Sequence, residues 1–575
     1  MAFWKKEVLF LGLVLALGML LVGVTGPNWK YTWLGGLDNW SYVGYGKHYT
    51  DCEYRAGLYK SCRVPWIWWE AAVRNLFPGE PGSRAVCFSL LFTWGAGWYL
   101  FARQMGSVWV AAGLSLFAVL YVPSHGSGGW DYHNGASGVF WVLALAQAVW
   151  IRNRATGRPG AWLLLGGWLG LAVHTNIILL NTAPLFLVLL WPEFRRKDGP
   201  GFVRGIGWIL AGFVGLTFVL GAINVAIGRR PFFYWKILQT AFVFVEDTSH
   251  NKPLYEPLGA PWTLRAHYLA LPAAAALFSV VSFFRRSAAP TRIFCGFHLF
   301  LTALWIYWHM KGVTALNIDY IAYPLVLSSL PVVWVALRGA EERPSPGWVW
   351  LPGAGLAGIG LLAAGGWRAG GEPPGPLLLQ TTLFVLGLLA AWSLKPRWAG
   401  VGLLLLLSAN AGTPAAAAYG RQAPSPNLPE AHARILELQD WAWPLRNERP
   451  RPPRPSLALV LSGRSFQTDP LARLVWDPDD PTPHFIPFVV ALGATDFEMS
   501  FPAARQRRLA AGTATREDFA EMQPGMCLFV ADTGRGFAEK VAAVLRGLGI
   551  PFRRGEVRTV SLDWGTVRLE QFVFL

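Results

Sequence analysis

Apolar residues in this chain fall in unbroken runs rather than at the period of a surface helix or a strand. The first, "VLFLGLVLALGMLLVGV" from Val8, has no polar face at all. A helix that is apolar all round is covered by protein or by lipid, and about 18 or more such residues span the hydrocarbon of a bilayer. Comparable runs lie near 8–25, 84–102, 106–122, 136–151, 161–176, 178–192, 205–227, 265–284, 293–309, 318–337, 347–365, 376–394 and 399–418. They predict a polytopic α-helical membrane protein of about thirteen transmembrane helices. The pair on either side of "HTN" (174–176) is the shortest and the least sharply divided.

After Tyr419 the pattern changes. "RQAPSPNLPE" and "NERPRPPRPS" read as linkers, and alternating runs follow ("SLALVLSG", "GMCLFVAD", "TVRLEQFVFL") with an amphipathic "GFAEKVAAVLRGLGI" among them. The expected division is a membrane domain over 1–419, with a long first external loop over 27–83, and an extracytoplasmic α/β domain over 420–575.

Charge gives these runs a direction. Only 15% of the 575 residues are charged, while 53% are hydrophobic and the net charge is +16. With the N-terminus in the cytoplasm, Arg103, Arg152, Arg154, Arg158, Arg195, Arg196, Lys197, Arg285, Arg286, Arg292, Arg338, Arg343, Lys395 and Arg397 all fall in cytoplasmic loops. The basic excess is thus accounted for by the membrane, and no nucleic-acid partner is expected. Lys5 and Lys6 precede the first run, but "GVTGPNW" is a poor cleavage site, so that run is expected to be retained.

The external segments carry the candidate chemistry. In the first loop Asp38 follows the first span, and "VPWIWWEAAVRNLF" (64–77) puts Trp66, Trp69 and Val73 on one stripe of an expected interfacial helix. Cys52 and Cys62 share this loop and an oxidising compartment, and a disulfide between them is expected. The second loop, "VPSHGSGGWDYHNGASG" (122–138), supplies Asp131 and His133. "HMKGVTALNIDYIAYP" (309–324) supplies Lys311, Asp319, Tyr320 and Tyr323, and "FVEDTSHNKPLYEPLGAPWTLRAHY" (244–268) supplies Lys252, Arg265 and His267. Taken singly, each acid is equally a helix cap or a solvated group, and each cation an anchor to lipid phosphates. As a set, the cations suit a lipid phosphate, with arginine offering bidentate geometry.

In order along the chain, "GLDNW", "YKSCRVP" (59–65), "WDYHNG" (130–135) and "DYIAYP" (319–324) resemble motifs of the GT-C superfamily of membrane glycosyltransferases. Members include protein mannosyltransferases, aminoarabinose and arabinose transferases, and the catalytic subunit of oligosaccharyltransferase. The resemblance covers the membrane part. It implies transfer of a sugar from a polyprenyl-phosphate carrier to an extracytoplasmic glycan, lipid or protein, in a bacterial inner membrane. Asp38 then becomes the general base and Asp131 a group that orients acceptor or sugar. Arg63, Arg265 and Lys311, with Tyr59, Tyr320 and His133, become donor and substrate ligands. A divalent cation (Mg or Mn) between Asp38 and Asp131 is a further implication. Asn39 stands where many relatives have a second acid, and the C-terminal part lacks the "WWDYG" of oligosaccharyltransferase. A transporter or lipid flippase would instead carry ionisable groups near the midplane and broken helices in repeated halves. A non-catalytic envelope scaffold is the third reading.

Overall fold

Hydrocarbon offers no hydrogen bonds, so each crossing segment must satisfy its backbone internally, which makes it a helix. In the computed structural model the apolar runs are helical wherever they are described. The residues described are 2–25, 62–121, 133–154, 158–197, 199–227, 231–246, 269–283, 289–311, 319–342, 375–393, 457–460, most of 508–575 and some isolated positions. The helices are α1 (Ala2–Thr25), α2 (Val64–Leu76), α3 (Glu80–Arg103), α4 (Val108–Leu120), α5 (His133–Arg154), α6 (Pro159–Thr175), α7 (Ala183–Lys197), α8 (Gly199–Ala226), α9 (Trp235–Glu246), α10 (Ala270–Phe283), α11 (Ala289–Met310), α12 (Asp319–Glu342) and α13 (Gly375–Ser393). Among the described residues, four helices are long and apolar enough to cross a membrane: Pro81–Arg103, His133–Arg154, Val203–Ala226 and Ala289–Met310. Shorter apolar helices accompany them. The runs at 347–365 and, for the most part, 399–418 fall outside the described residues, so the figure of thirteen stays an expectation.

Contacts divide the chain into one unit of Met1–Lys30, Cys62–Trp66 and Cys87–Gln422, and a second of Tyr31–Ser61, Ile67–Val86 and Ala423–Leu575. In the first unit the helices alternate in direction. The Arg103 guanidinium at the end of α3 bonds Glu7 near the start of α1 at 2.8 Å. Asn153 at the end of α5 donates to the Gln104 carbonyl at 2.8 Å. Phe101, Phe294 and Trp334 pack edge to face, joining the end of α3, the start of α11 and the latter half of α12. One end of the unit therefore gathers Arg103, Arg292 and Arg338, as the charge pattern predicts.

The "HTN" segment is a reversal between two apolar helical segments. Asn134, Phe140 and Gln147 of α5 meet Asn176, Trp168 and Ala161, so α6 runs antiparallel to α5. Trp141 then meets Thr182 and Phe186, so the chain beyond Asn176 runs back along α5. The turn is a short 3₁₀ helix, Ile177–Thr182, capped by the Asn176 side chain, which accepts the Ile178 N–H at 3.3 Å. Helices α6 and α8 touch backbone to backbone. A Cβ on Gly166 would overlap the Ile209 carbonyl, and one on Gly212 would overlap that of Leu163. Without a hydrophobic force between helices in lipid, such small-residue contacts supply the packing.

In the second unit α2 buries Ile67, Glu70 and Arg74 along one stripe. Arg74 bonds Glu70 at 2.9 Å and donates to the Ser83 hydroxyl at 2.8 Å. The two opposite charges are paired one helical turn apart, a burial that a pattern of apolar positions does not reveal. The strands β1 (Leu457–Val460), β2 (Cys527–Asp532), β3 (Phe552–Leu562) and β4 (Gly565–Phe574) form one sheet in the order β1-β2-β4-β3, parallel only at β1-β2. Helix α14 (Phe537–Gly547) lays Phe537, Val541 and Leu545 into a core with Leu528, Val530 and Phe572. Three of the strands and the helix coincide with the sequence pattern, whereas β3, "FRRGEVRTVSL", is masked by its arginines.

Candidate functional site

The end of the first unit opposite the cations is where four of the candidates fall. Helix α11 starts near Phe294 at the cationic end, and its 22 residues carry Lys311, just past its last turn, about 33 Å away. Lys311 is exposed there, and its N–H donates to the Tyr307 carbonyl at 3.0 Å. Tyr320 lies in the first turn of α12, and His133 opens α5 and is buried. Tyr323, one turn into α12, lies on Gly138 of α5, where a Cβ would overlap its hydroxyl. Tyr323 of "DYIAYP" thus meets α5 three residues beyond the end of "WDYHNG".

Around Asn134 lies a seam of neutral polar side chains. The Asn176 amide donates to Asn134 Oδ1 at 2.8 Å, with both residues buried. Ser137 bonds the Asn134 carbonyl at 2.9 Å, and the Trp141 indole donates to the Thr182 hydroxyl at 2.8 Å. The Tyr323 hydroxyl is fully buried and has no hydrogen-bond partner among the described residues. A buried hydroxyl left this way costs about 1–3 kcal/mol, so the position is held by the surrounding packing rather than by its own polar bonds. Sequence reasoning singled out His133 and Tyr323 but not Asn134 or Asn176. The signal for them was the polar "HTN" inside an apolar stretch.

His298 of α11 and His174 of α6 are packed within apolar helices. His298 bonds Ser328 Oγ at 2.7 Å and the Pro272 carbonyl at 2.9 Å through its two ring nitrogens. His174 Nε2 lies 2.7 Å from the Thr217 hydroxyl, among Phe213, Phe233 and Tyr234.

Arg63, half-buried, precedes α2, and its carbonyl accepts the Trp66 N–H at 3.1 Å. Asp38, Asp131, Tyr59, Arg265 and Cys52 lie outside the described residues, and so do the pairing of Asp38 with Asp131 and the disulfide to the buried Cys62. Among the described residues, no three His, Cys, Asp or Glu side chains are grouped to hold a metal ion.

No family model matches the chain, and no curated protein matches it. Among solved structures it is similar to ArnT from Cupriavidus metallidurans in the apo state, at 14% identity and a TM-score of 0.45, over 99% of this chain and 98% of that one. The same protein bound to undecaprenyl phosphate matches at 14% identity and 0.45, over 97% of each chain. The Archaeoglobus fulgidus oligosaccharyltransferase with a tethered acceptor peptide matches at 12% identity and 0.42, over 100% of this chain and 74% of that one. Both are GT-C glycosyltransferases.

Proposed function

We propose that the chain is an integral-membrane glycosyltransferase that moves a sugar from a polyprenyl-phosphate carrier to an acceptor hydroxyl or amine at the external membrane face. The observation that carries this reading is the order of the four motifs, supported by the contact of Tyr323, in the fourth, with Gly138, three residues beyond the third. The cations at the other end support placing that end in the cytoplasm, with the motif end facing outward.

In the proposed reaction the acceptor oxygen or nitrogen attacks the anomeric carbon. The bond from that carbon to the phosphate oxygen breaks, and its electron pair leaves with the lipid phosphate. Asp38 takes the acceptor proton, from within about 3 Å. Arg63, Arg265 and Lys311 stabilise the phosphate as its charge grows. Asp131 orients acceptor or sugar, and His133, Tyr59 and Tyr320 complete the substrate contacts. Asp38 and Asp131 have the donor chemistry to hold a divalent cation, which would supply further charge for the leaving phosphate. Purified full-length protein in nanodiscs, supplied with polyprenyl-phosphate sugars extracted from its own host membrane, should release free polyprenyl phosphate when membrane acceptors are present. The Asp38→Asn variant should bind the donor and release none. A folded Asp38→Asn variant of normal activity would overturn the assignment, and translocation of the donor without release of phosphate would favour a flippase.

A further inference from the structure

The long segment after α8 reads in sequence as a loop, yet Trp235–Glu246 within it is the helix α9. At about 100° per residue, Trp235, Ile237, Leu238, Ala241, Phe242 and Val245 fall on one half of α9. Lys236, Gln239, Thr240 and Glu246 fall on the other together with Val243, and Phe244 lies at the boundary between the halves. Protein covers only part of the apolar half. Ile237 is buried, and α9 packs on the 3₁₀ turn Ile177–Thr182, while the preceding Phe233 stacks near His174 at 5.2 Å. Trp235 remains 59% exposed, Phe242 65% and Phe232, just before the helix, 66%.

Two observations say what covers that edge. The Pro231 carbonyl folds back on α8 at Gly221, where a Cβ would come within 2.9 Å of it. Gly221 precedes the end of α8 by five residues, or about 7–8 Å of helix, so α9 begins below the level at which α8 ends. Helix α8 itself turns Leu210, Val214, Phe218 and Val225 outward, so its exposed apolar face leads directly to Phe232 and Trp235. The sequence between α8 and Pro231 adds Arg229 and Arg230, cations suited to lipid phosphates.

We infer that α9 lies in the plane of the membrane interface, with Phe232, Trp235 and Phe242 seated at the acyl boundary of a phospholipid leaflet. Its partner is lipid, at the depth of about 5–10 Å typical of interfacial helices. By its contacts α9 anchors the reversal at Asn176 to that surface. The inference requires only that α8 crosses a membrane, and it stands or falls separately from the transferase reading.

The test places p-benzoylphenylalanine singly at Trp235, Phe242, Lys236 and Thr240 of the full chain, in nanodiscs of phosphatidylethanolamine and phosphatidylglycerol. Mass spectrometry after illumination reads the adducts. Trp235 and Phe242 should carry phospholipid adducts about fivefold more often than Lys236 and Thr240. Phe232 reports the same contact if a helix variant fails to fold. Equal yields at all four positions, or cross-links from Trp235 and Phe242 to a peptide of this chain or of a second copy, would overturn the inference.

Discussion

The helices of the first unit and the sheet of the second bury polar groups by different means. Between α5, α6 and the 3₁₀ turn the buried bonds are neutral, from Asn176 to Asn134 and from Trp141 to Thr182. Glu7 and Arg103 of this unit form an ion pair at helix ends. In the second unit charge goes inside. Glu570 is buried between Arg554 at 3.2 Å and Arg568 at 3.3 Å, and Asp518 is held by Arg508 Nε at 3.0 Å and by the Thr515 N–H at 2.9 Å. The difference follows from solvent. An arginine at a sheet surface keeps water on its far side, whereas in hydrocarbon an isolated charge has none and a neutral amide pair is the cheaper polar contact.

Breaking a lipid-side contact should therefore cost more than breaking a charge pair. The largest effect is expected from Gly166→Leu, whose side chain meets the Ile209 backbone, which cannot yield as a side chain would. Loss of more than about 3 kcal/mol should appear as little monodisperse protein in size-exclusion chromatography. Next, Asn176→Ala and Asn134→Ala should each lower stability by about 1–2 kcal/mol, and the double variant by less than their sum. Thermal unfolding in detergent measures both. Glu570→Gln should cost about 1 kcal/mol, since its arginines are part-exposed, and should speed amide exchange in β3 and β4.

The smallest effect is at Glu539, whose carboxyl is held below its usual pKa of 4.5 by the hydrogen bond from Arg554. A depressed acid stabilises the fold above its unfolded pKa, and that contribution disappears as pH falls through the folded value. The difference between wild type and Glu539→Gln should thus be constant near neutrality and vanish in acid below 4.5.

Legibility followed the same divide. Spans were readable because lipid demands long apolar runs, and the cationic end because loops record their side of the membrane. The reversal at "HTN" showed only as three polar residues, and its direction needed the contacts of Asn134 and Trp141. Helix α9 was hidden because a 12-residue amphipathic helix is too short for a span, and β3 because Arg553, Arg554 and Arg558 obscure its alternation. For the buried Glu70 and Arg74, sequence gave the spacing but not the burial. The motifs named His133, Lys311, Tyr320 and Tyr323, but only the fold brings Tyr323 onto Gly138, since no local rule links residues so far apart. The proposed roles of Asp38 and Asp131 rest on the motifs themselves.

The central claim is tested most directly by lipid mass spectrometry of host cells whose only copy of this chain carries Asp38→Asn. The account predicts that one polyprenyl-phosphate sugar accumulates relative to wild type, while the variant remains folded in the membrane. A folded variant in a cell whose lipid-linked sugars are unchanged would contradict it.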